Sequence, residues 1–278
     1  MPVAHFDEQI LAVRSFLKAR SGAGSVPLGT ARCPGSADEL LAGLPVPFNP
    51  TPRPFVILKE ETFVELGNPI QGSASMVLWT PQAEMVRDGV VTWIGPDIPE
   101  AVGQSLPFGQ VILVGASRLE EKDLPRLERA SDLSHRLEGY MIRYLPRKVW
   151  SRVSRDAAAR GFRFETLGRA LMAHYKMQFP VLEAVEVLFV TSSRADVEEL
   201  ATIAREAQGK SLSIRKLTRS QDGTYECEEL NCETCPEKST CDTIRDVIVI
   251  RKKGKIAGIQ VIRGPADTGS GSQRGLNV

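Results

Sequence analysis

Helical and strand-like patterns of apolar residues alternate along the chain. Residues 7–20 place Ile10, Leu11, Val13, Phe16 and Leu17 on one helical stripe. A second amphipathic pattern begins at a serine and stops at a glycine, over residues 193–209. Short apolar or alternating runs predict strands at 55–66, 73–80, 90–95, 110–116 and 184–191. Because helices and strands alternate, the sequence predicts a layered α/β domain.

Further elements are predicted from apolar spacing and from signals at segment ends. Ser36 is a candidate N-cap, and Pro125 fits the first turn of a helix. The segments are helices at 36–44, 118–145, 148–161 and 166–179, and a strand at 211–218.

Changes in composition divide the chain into four parts. Residues 1–54 hold the first helix and an extended arm rich in Gly and Pro, and residues 55–218 form the α/β domain. Residues 219–263 carry four of the five cysteines. Residues 264–278 are small and polar, which is typical of a disordered tail.

The net charge of the chain and the length of its apolar runs narrow the class of protein. The formal net charge is +1, and no apolar run is long enough to span a bilayer. Asp7 and Glu8 lie where a signal peptide would need positive charge, so a cytoplasmic protein without membrane contact is predicted. In that compartment, clustered cysteines indicate a metal site rather than disulfides.

The segment CEELNCETCPEKSTC is the strongest candidate for chemistry. Its spacing, C-x4-C-x2-C-x5-C, lets four thiolates close around one centre, which suits a [4Fe–4S] cluster or a tetrahedral zinc. A single C-x2-C unit, with a proline after its second cysteine, favours iron–sulfur over zinc. Surrounding glutamates favour a low reduction potential. The predicted ligands are Cys227, Cys232, Cys235 and Cys241.

Residues 143–169 form a basic stretch with a local net charge of +6 in an otherwise balanced chain. Because arginine side chains bind phosphates and carboxylates well, one interpretation of the stretch is a surface that binds such groups. The alternative is an ordinary solvated helix surface. Nucleic acid is not predicted, because no aromatic residues are spaced through the stretch as a stacking platform. His135 and His174 fall in helical patterns and are predicted to be structural. The candidate partner-binding residues are Arg143, Arg147, Lys148, Arg152, Arg155, Arg160 and Arg163.

Several strings in the middle of the chain resemble the β subunit of carbon monoxide dehydrogenase/acetyl-CoA synthase. They are FVELGNP, VRDGVVTWIGPDI, LPFGQVILVGASRLEEKDLPRLERA and SRVSRDAAARGFRFETLGRALMAHYKMQFPVLEAVEVLFVT. The resemblance is collinear over roughly residues 55–208 and corresponds to the middle domain of that family. It implies a metal cluster downstream. It also implies that the basic stretch meets an acidic electron carrier, a corrinoid protein or a CoA phosphate.

After Tyr225 and Cys227, which match the start of cluster ligation in the family, the pattern departs. The family holds its distal nickel through a C-G-C tripeptide, and these 278 residues contain none. Four cysteines suffice for one four-iron cluster and leave no thiolate to bridge nickel. Acetyl synthesis by this chain alone is therefore not expected.

Three functions stay open at this point. The first is an iron–sulfur protein that passes electrons to, or docks with, a corrinoid protein, a methyltransferase or a low-potential electron carrier. The second is one subunit of a split synthase-like or methyl-transfer enzyme, whose nickel ligands come from another chain. The third is a structural adaptor with a zinc staple.

Overall fold

The computed structural model describes residues 6–21, 27–120, 123–145, 147–214, 217–219 and 225–227. The chain divides into two units, Met1–Arg215 and Lys216–Val278, which are treated separately. The helices are α1 (Asp7–Ser21), α2 (Ala37–Leu41), α3 (Leu124–Ala130), α4 (Arg155–Ala159), α5 (Phe164–Gln178) and α6 (Arg194–Ile214). The strands are β1 (Leu28–Arg32), β2 (Thr62–Leu66), β3 (Ser73–Thr80), β4 (Val90–Ile94), β5 (Ser105–Leu106), β6 (Phe108–Gly115), β7 (Tyr140–Leu145), β8 (Lys148–Ser154), β9 (Ala184–Val190), β10 (Leu217–Arg219) and β11 (Tyr225–Cys227).

A mixed five-stranded sheet with the order β1-β4-β9-β6-β3 forms the centre of the first unit. Every residue of β6 and β9 is buried, which is typical of strands covered on both faces. Phe189 of β9 stacks on Phe164 of α5, with the ring centroids 4.9 Å apart. Glu186, three residues earlier and on the opposite face of the strand, pairs with Arg14 of α1. Helices therefore cover both faces, and the predicted α/β class is confirmed.

A second sheet has four strands in the order β5-β2-β8-β7. Its inner face is apolar, since Val64, Leu66, Val149 and Val153 are all fully buried. The burial of β8 alternates strictly along Lys148–Ser154, so its other side chains point away from the core. One side of this sheet packs and the other meets solvent.

The structure corrects two of the predicted helices. The described part of 118–145 holds α3 and then β7 rather than one long helix, because a series of turns at 131–139 interrupts the helical spacing. Residues 148–154 form strand β8 rather than helix, since Val149, Trp150 and Val153 favour a pleated, half-buried surface. The helix formers that follow give only the short α4.

The N-terminal arm also differs from its prediction. It contributes β1, which pairs antiparallel with β4 at the edge of the central sheet. The predicted Ser36 cap is confirmed by a capping box with Glu39. Leu11, placed on the buried stripe of α1 by its spacing, is 57% exposed.

Other predicted elements are confirmed or shifted. The strands β3, β4 and β6 and the helices α1, α5 and α6 occur where they are predicted. The predicted alternation of β9 is wrong because both faces of this strand are buried. Helix α6 continues to Ile214, so the predicted strand at 211–218 shortens to β10. No helix in the described ranges is long and apolar enough to cross a membrane.

Candidate docking face and metal centre

Two arginines flank a tryptophan on the outer face of the four-stranded sheet. Arg143 of β7 lies opposite Trp150 of β8 in the antiparallel register, and Arg152 follows two residues later on the same face. The Arg143 guanidinium lies 5.1 Å from the indole centroid, and the Arg152 guanidinium lies 4.8 Å from it. Cation–π attraction of this kind orders both arginines against the ring.

A carboxylate network holds Arg152 in this position. Its Nε and Nη2 donate to Oε1 of Glu65 at 3.2 and 3.1 Å. The other oxygen, Oε2 of Glu65, accepts hydrogen bonds from Asn68 Nδ2 and Ser105 Oγ, both at 3.0 Å. Partial burial raises the pKa of the Glu65 carboxyl, but these hydrogen bonds outweigh it, and the net pKa lies below the ordinary value. Glu65 is therefore a fixed anion beneath Arg152.

The loop after β2 supplies part of this network. Gly67 has φ +71°, and a Cβ there would approach the Val149 carbonyl oxygen to 2.3 Å, so the chain turns closely against β8. Asn68 Oδ1 accepts from the backbone N–H groups of Ile70 and Gln71, which closes the turn. The turn aims the Asn68 amide at Glu65.

We define the outer face as Glu65, Arg143, Lys148, Trp150 and Arg152. Arg143 and Lys148 are exposed, whereas Arg152 and Glu65 retain 20% and 23% side-chain exposure. Adjacent Arg147 adopts φ 64° in the turn between β7 and β8, a left-handed conformation that is uncommon for arginine. Arg143 and Arg152 therefore both stack on the indole, and exposed Lys148 lies two residues from Trp150 on the same side of β8.

The remaining basic candidates lie elsewhere in the structure. Arg155 and Arg160 line a groove of about 720 Å³, and Arg160 forms a 2.7 Å ion pair with Glu138. Arg163 precedes α5, and Arg169 donates to the carbonyl oxygens of Leu40 and Ala42. The basic stretch is thus spread over three places, so the alternative of one solvated helix surface does not hold, and partner binding stays a prediction.

The cysteine segment is described only at its beginning. Cys227 ends β11, where it lies opposite Leu217 in the antiparallel β10–β11 pair. Cys232, Cys235 and Cys241 lie outside the described residues. The described ranges contain no cluster of three or more Cys, His, Asp or Glu side chains that could hold a metal. The donor set of four nearby thiols suits a four-iron cluster or zinc, as predicted from its spacing.

Cys33 is the fifth cysteine, and it directly follows β1 in the N-terminal arm. Its Sγ is 4.0 Å from a carboxylate oxygen of Glu165. Burial, and then this carboxylate, raise the pKa of the Cys33 thiol above its ordinary value. The environment therefore favours a protonated thiol.

Sequence reasoning named Arg143, Lys148 and Arg152 as candidates, but it missed Glu65 and Trp150 of the outer face. Trp150 falls in the segment predicted as a helix at 148–161, yet it is half-buried between two arginines on a strand. Glu65 and Asn68 fall in the VELGNP string, but nothing in the string shows that Ser105 and Arg152 meet them. The one available signal was the alternation KVWSRVS, which places Lys148, Trp150 and Arg152 on one side of a strand.

Comparison with known proteins places this mixed α/β chain in one class of subunit. Residues 44–196 match the family model of the CO dehydrogenase/acetyl-CoA synthase complex beta subunit. The chain belongs to this family, which confirms the resemblance seen in the sequence.

Among its relatives, the acetyl-CoA decarbonylase/synthase complex subunit beta of Methanothermobacter thermautotrophicus is 31% identical over 201 residues, covering 71% of this chain and 43% of the relative. Subunit beta 2 of Methanosarcina thermophila is 35% identical over 153 residues, covering 54% and 32%. The beta subunit of Archaeoglobus fulgidus is 31% identical over 138 residues, covering 49% and 26%. The chain therefore spans less than half the length of these relatives.

Proposed function

We propose that this chain is an iron–sulfur protein that docks with, or passes electrons to, a corrinoid or methyl-transfer partner of an acetyl-CoA synthase-type complex. The observation that carries the docking role is the outer face, where exposed Arg143 and the ordered Arg152 stack on Trp150 beside exposed Lys148. Aromatic and arginine side chains are the usual anchors of protein interfaces, and exposed cations steer acidic partners. The names of the relatives, subunits of a complex, support a role in assembly.

Four thiolates would hold the cluster in this proposal: Cys227, Cys232, Cys235 and Cys241. A bound [4Fe–4S] cluster would supply one-electron transfer. The nearby glutamates would disfavour an added electron and keep its potential low. All four cysteines are committed to one centre, so acetyl synthesis by these residues alone is not part of the proposal.

The docking role is tested by charge removal on the outer face. The double variant Arg143→Ala/Lys148→Ala should bind a purified corrinoid protein about tenfold more weakly at low ionic strength, with the difference shrinking at high salt. Arg205→Ala is the matched control, because it removes an arginine from helix α6. An equal loss at both salt concentrations, or the same loss in the control, would contradict electrostatic docking on this face.

The cluster is tested by anaerobic purification with analysis of iron, sulfide, zinc and nickel. Four irons that cycle reversibly under a strong reductant are the expected result. Cys235→Ser should abolish or convert the cluster, whereas Cys33→Ser should leave it intact. A colourless protein with one zinc would instead indicate the structural adaptor.

A second candidate is one subunit of a split synthase-like or methyl-transfer enzyme. Family membership favours it, because the relatives are named as subunits of a synthase complex. Nickel ligands would then come from a CO dehydrogenase/acetyl-CoA synthase-type partner chain. Stoichiometric nickel in a reconstituted complex, absent when the outer-face variant cannot assemble, would favour this candidate.

A further inference from the structure

An extended segment of the arm crosses the loop that leads into β7. We call residues 47–57 the strap. Its polar backbone groups bond to the loop at successive points: Glu138 N–H donates to the Pro47 carbonyl at 3.0 Å, and Asn49 N–H donates to the Arg136 carbonyl at 2.6 Å. Arg53 N–H donates to the His135 carbonyl at 2.8 Å. The strap is therefore fastened along its length by the loop backbone.

One fastening point uses a side chain that can change its protonation. The Phe55 N–H donates to Nδ1 of His135 at 3.1 Å. The Phe55 ring meets the imidazole edge-on, with centroids 5.6 Å apart and an interplanar angle of 82°. His135 has φ 63°, a left-handed conformation in which histidine is enriched, and this conformation presents both its carbonyl and its ring to the strap.

From this geometry we infer that His135 is a protonation-dependent clasp for the strap. Neutral imidazole accepts through one nitrogen and donates through the other, so the observed bond requires the proton on Nε2. In the imidazolium form both nitrogens are donors, and Nδ1–H then faces the Phe55 N–H. The Phe55 amide loses its acceptor, and the fastening opens between Arg53 and Ile57.

Release of the strap would alter two surfaces. Arg53, Pro54, Phe55 and Ile57 form one wall of the groove that Arg155 and Arg160 also line. The Ile57 carbonyl accepts a hydrogen bond from Arg152 Nη1 at 3.2 Å, which connects the strap to the outer face. A change at His135 therefore reaches both the groove and the arginine that stacks on Trp150. The inference does not depend on the proposed function, because it concerns the strap itself.

Charges of both signs lie near the clasp, and they shift the pH at which it opens in opposite directions. That pH is therefore read from the hydrogen-exchange experiment described below. Arg53 is on the strap, and Arg160 reaches the loop through its ion pair with Glu138. His174 of α5 interacts electrostatically with the loop. Among the described residues, the charged or titratable groups on the strap, on the loop and in contact with the loop are Arg53, Asp132, Arg136, Glu138, Arg160 and His174.

Hydrogen exchange of the full chain, resolved to single amides and corrected for intrinsic rates, tests the clasp. Between about pH 7.5 and about pH 5.5, protection of the Phe55 amide should fall about tenfold relative to the Asn49 amide. The Asn49 amide is the internal control, since it lies on the same strap and bonds to a carbonyl that does not titrate. An unchanged ratio of the two protections would overturn the inference.

His135→Asn is the matched variant. Asparagine tolerates a left-handed backbone, and its Oδ1 can accept at any pH from the position that Nδ1 occupies. The protection ratio in this variant should not change with pH, whereas His135→Ala should give a low ratio throughout. An equal fall in wild type and His135→Asn would assign the effect to another group and reject the clasp. If either variant fails to fold, the wild-type titration alone decides.

Discussion

The two sheets of the first unit differ in how many of their faces are buried. The five-stranded sheet is covered by helices on both faces, and its central strands β6 and β9 are wholly buried. The four-stranded sheet buries one face and turns Arg143, Trp150 and Arg152 outward. Polar groups in the first sheet must therefore be neutralised internally, whereas those of the second are available to a partner.

Glu186 and Glu65 illustrate the difference. Glu186 is 1% exposed in β9 and is matched by the guanidinium groups of Arg14 and Arg87. Glu65 is 23% exposed and organises Arg152 on a surface. Burial raises the pKa of both carboxyls, and hydrogen bonds bring the net pKa below the ordinary value. At Glu65 these bonds come from Asn68, Ser105 and Arg152, whereas at Glu186 they come from Arg14 and Arg87. The same residue type thus serves packing in one sheet and surface order in the other.

The largest expected effect is a difference in the free energy of unfolding between variants of the two sheets. Phe189→Ala removes a ring that stacks on Phe108 and Phe164, and it should lower the free energy of unfolding by about 3–5 kcal/mol. Trp150→Ala, on the half-buried outer face, should cost only about 1–2 kcal/mol. Denaturant unfolding of both variants measures the difference. Comparable losses would show that the outer face is part of the stabilising core.

A second effect concerns His174, where α5 meets the loop that leads into the four-stranded sheet. Burial, and then Arg136, lower the pKa of His174 to about 4, although Asp132 opposes this shift. An unfolded histidine binds its proton near pH 6.5. The unfolded state therefore takes up more protons between these values, and the free energy of unfolding should fall by up to about 3 kcal/mol as pH drops through this window.

Urea unfolding at several pH values checks this expectation. His174→Gln removes the titrating group, so its stability should depend less on pH over the same window. The difference between the two slopes isolates His174 from other acid-sensitive groups. Parallel slopes would place the imidazole in a solvated environment, contrary to its 4% exposure.

The smallest effect should appear at the outer face. Glu65→Gln weakens the hold on Arg152 and should change the free energy of unfolding by less than about 1 kcal/mol, because both partners are partly exposed. The emission of Trp150 should nevertheless shift as the arginine above it becomes mobile. Subtracting the emission of the double variant Trp150→Phe/Glu65→Gln removes the contribution of the other two tryptophans. An unchanged spectrum would mean that Glu65 does not order the stack.

Sequence patterns were most reliable where one physical requirement dominates. The buried strand β6 and the helix α5 follow from apolar runs and helical spacing, because burial on a regular element leaves a strong period. The pattern failed over 118–145, where Leu133 and Leu137 are fully buried in irregular chain. Apolar residues pack there without regular structure, so helical spacing arises without a helix.

Local sequence determined the α/β class, the main elements and the spacing of the four cysteines, whose metal stays a prediction. Only the tertiary structure decided which basic residues act together. Arg143 and Arg152 are nine positions apart, and they flank Trp150 because β7 and β8 pair in one particular register. Glu65 joins them because β2 pairs with β8 in another. The tight turn between β7 and β8 sets the first register, whereas the second joins strands that are far apart in the chain, and no local pattern records that pairing.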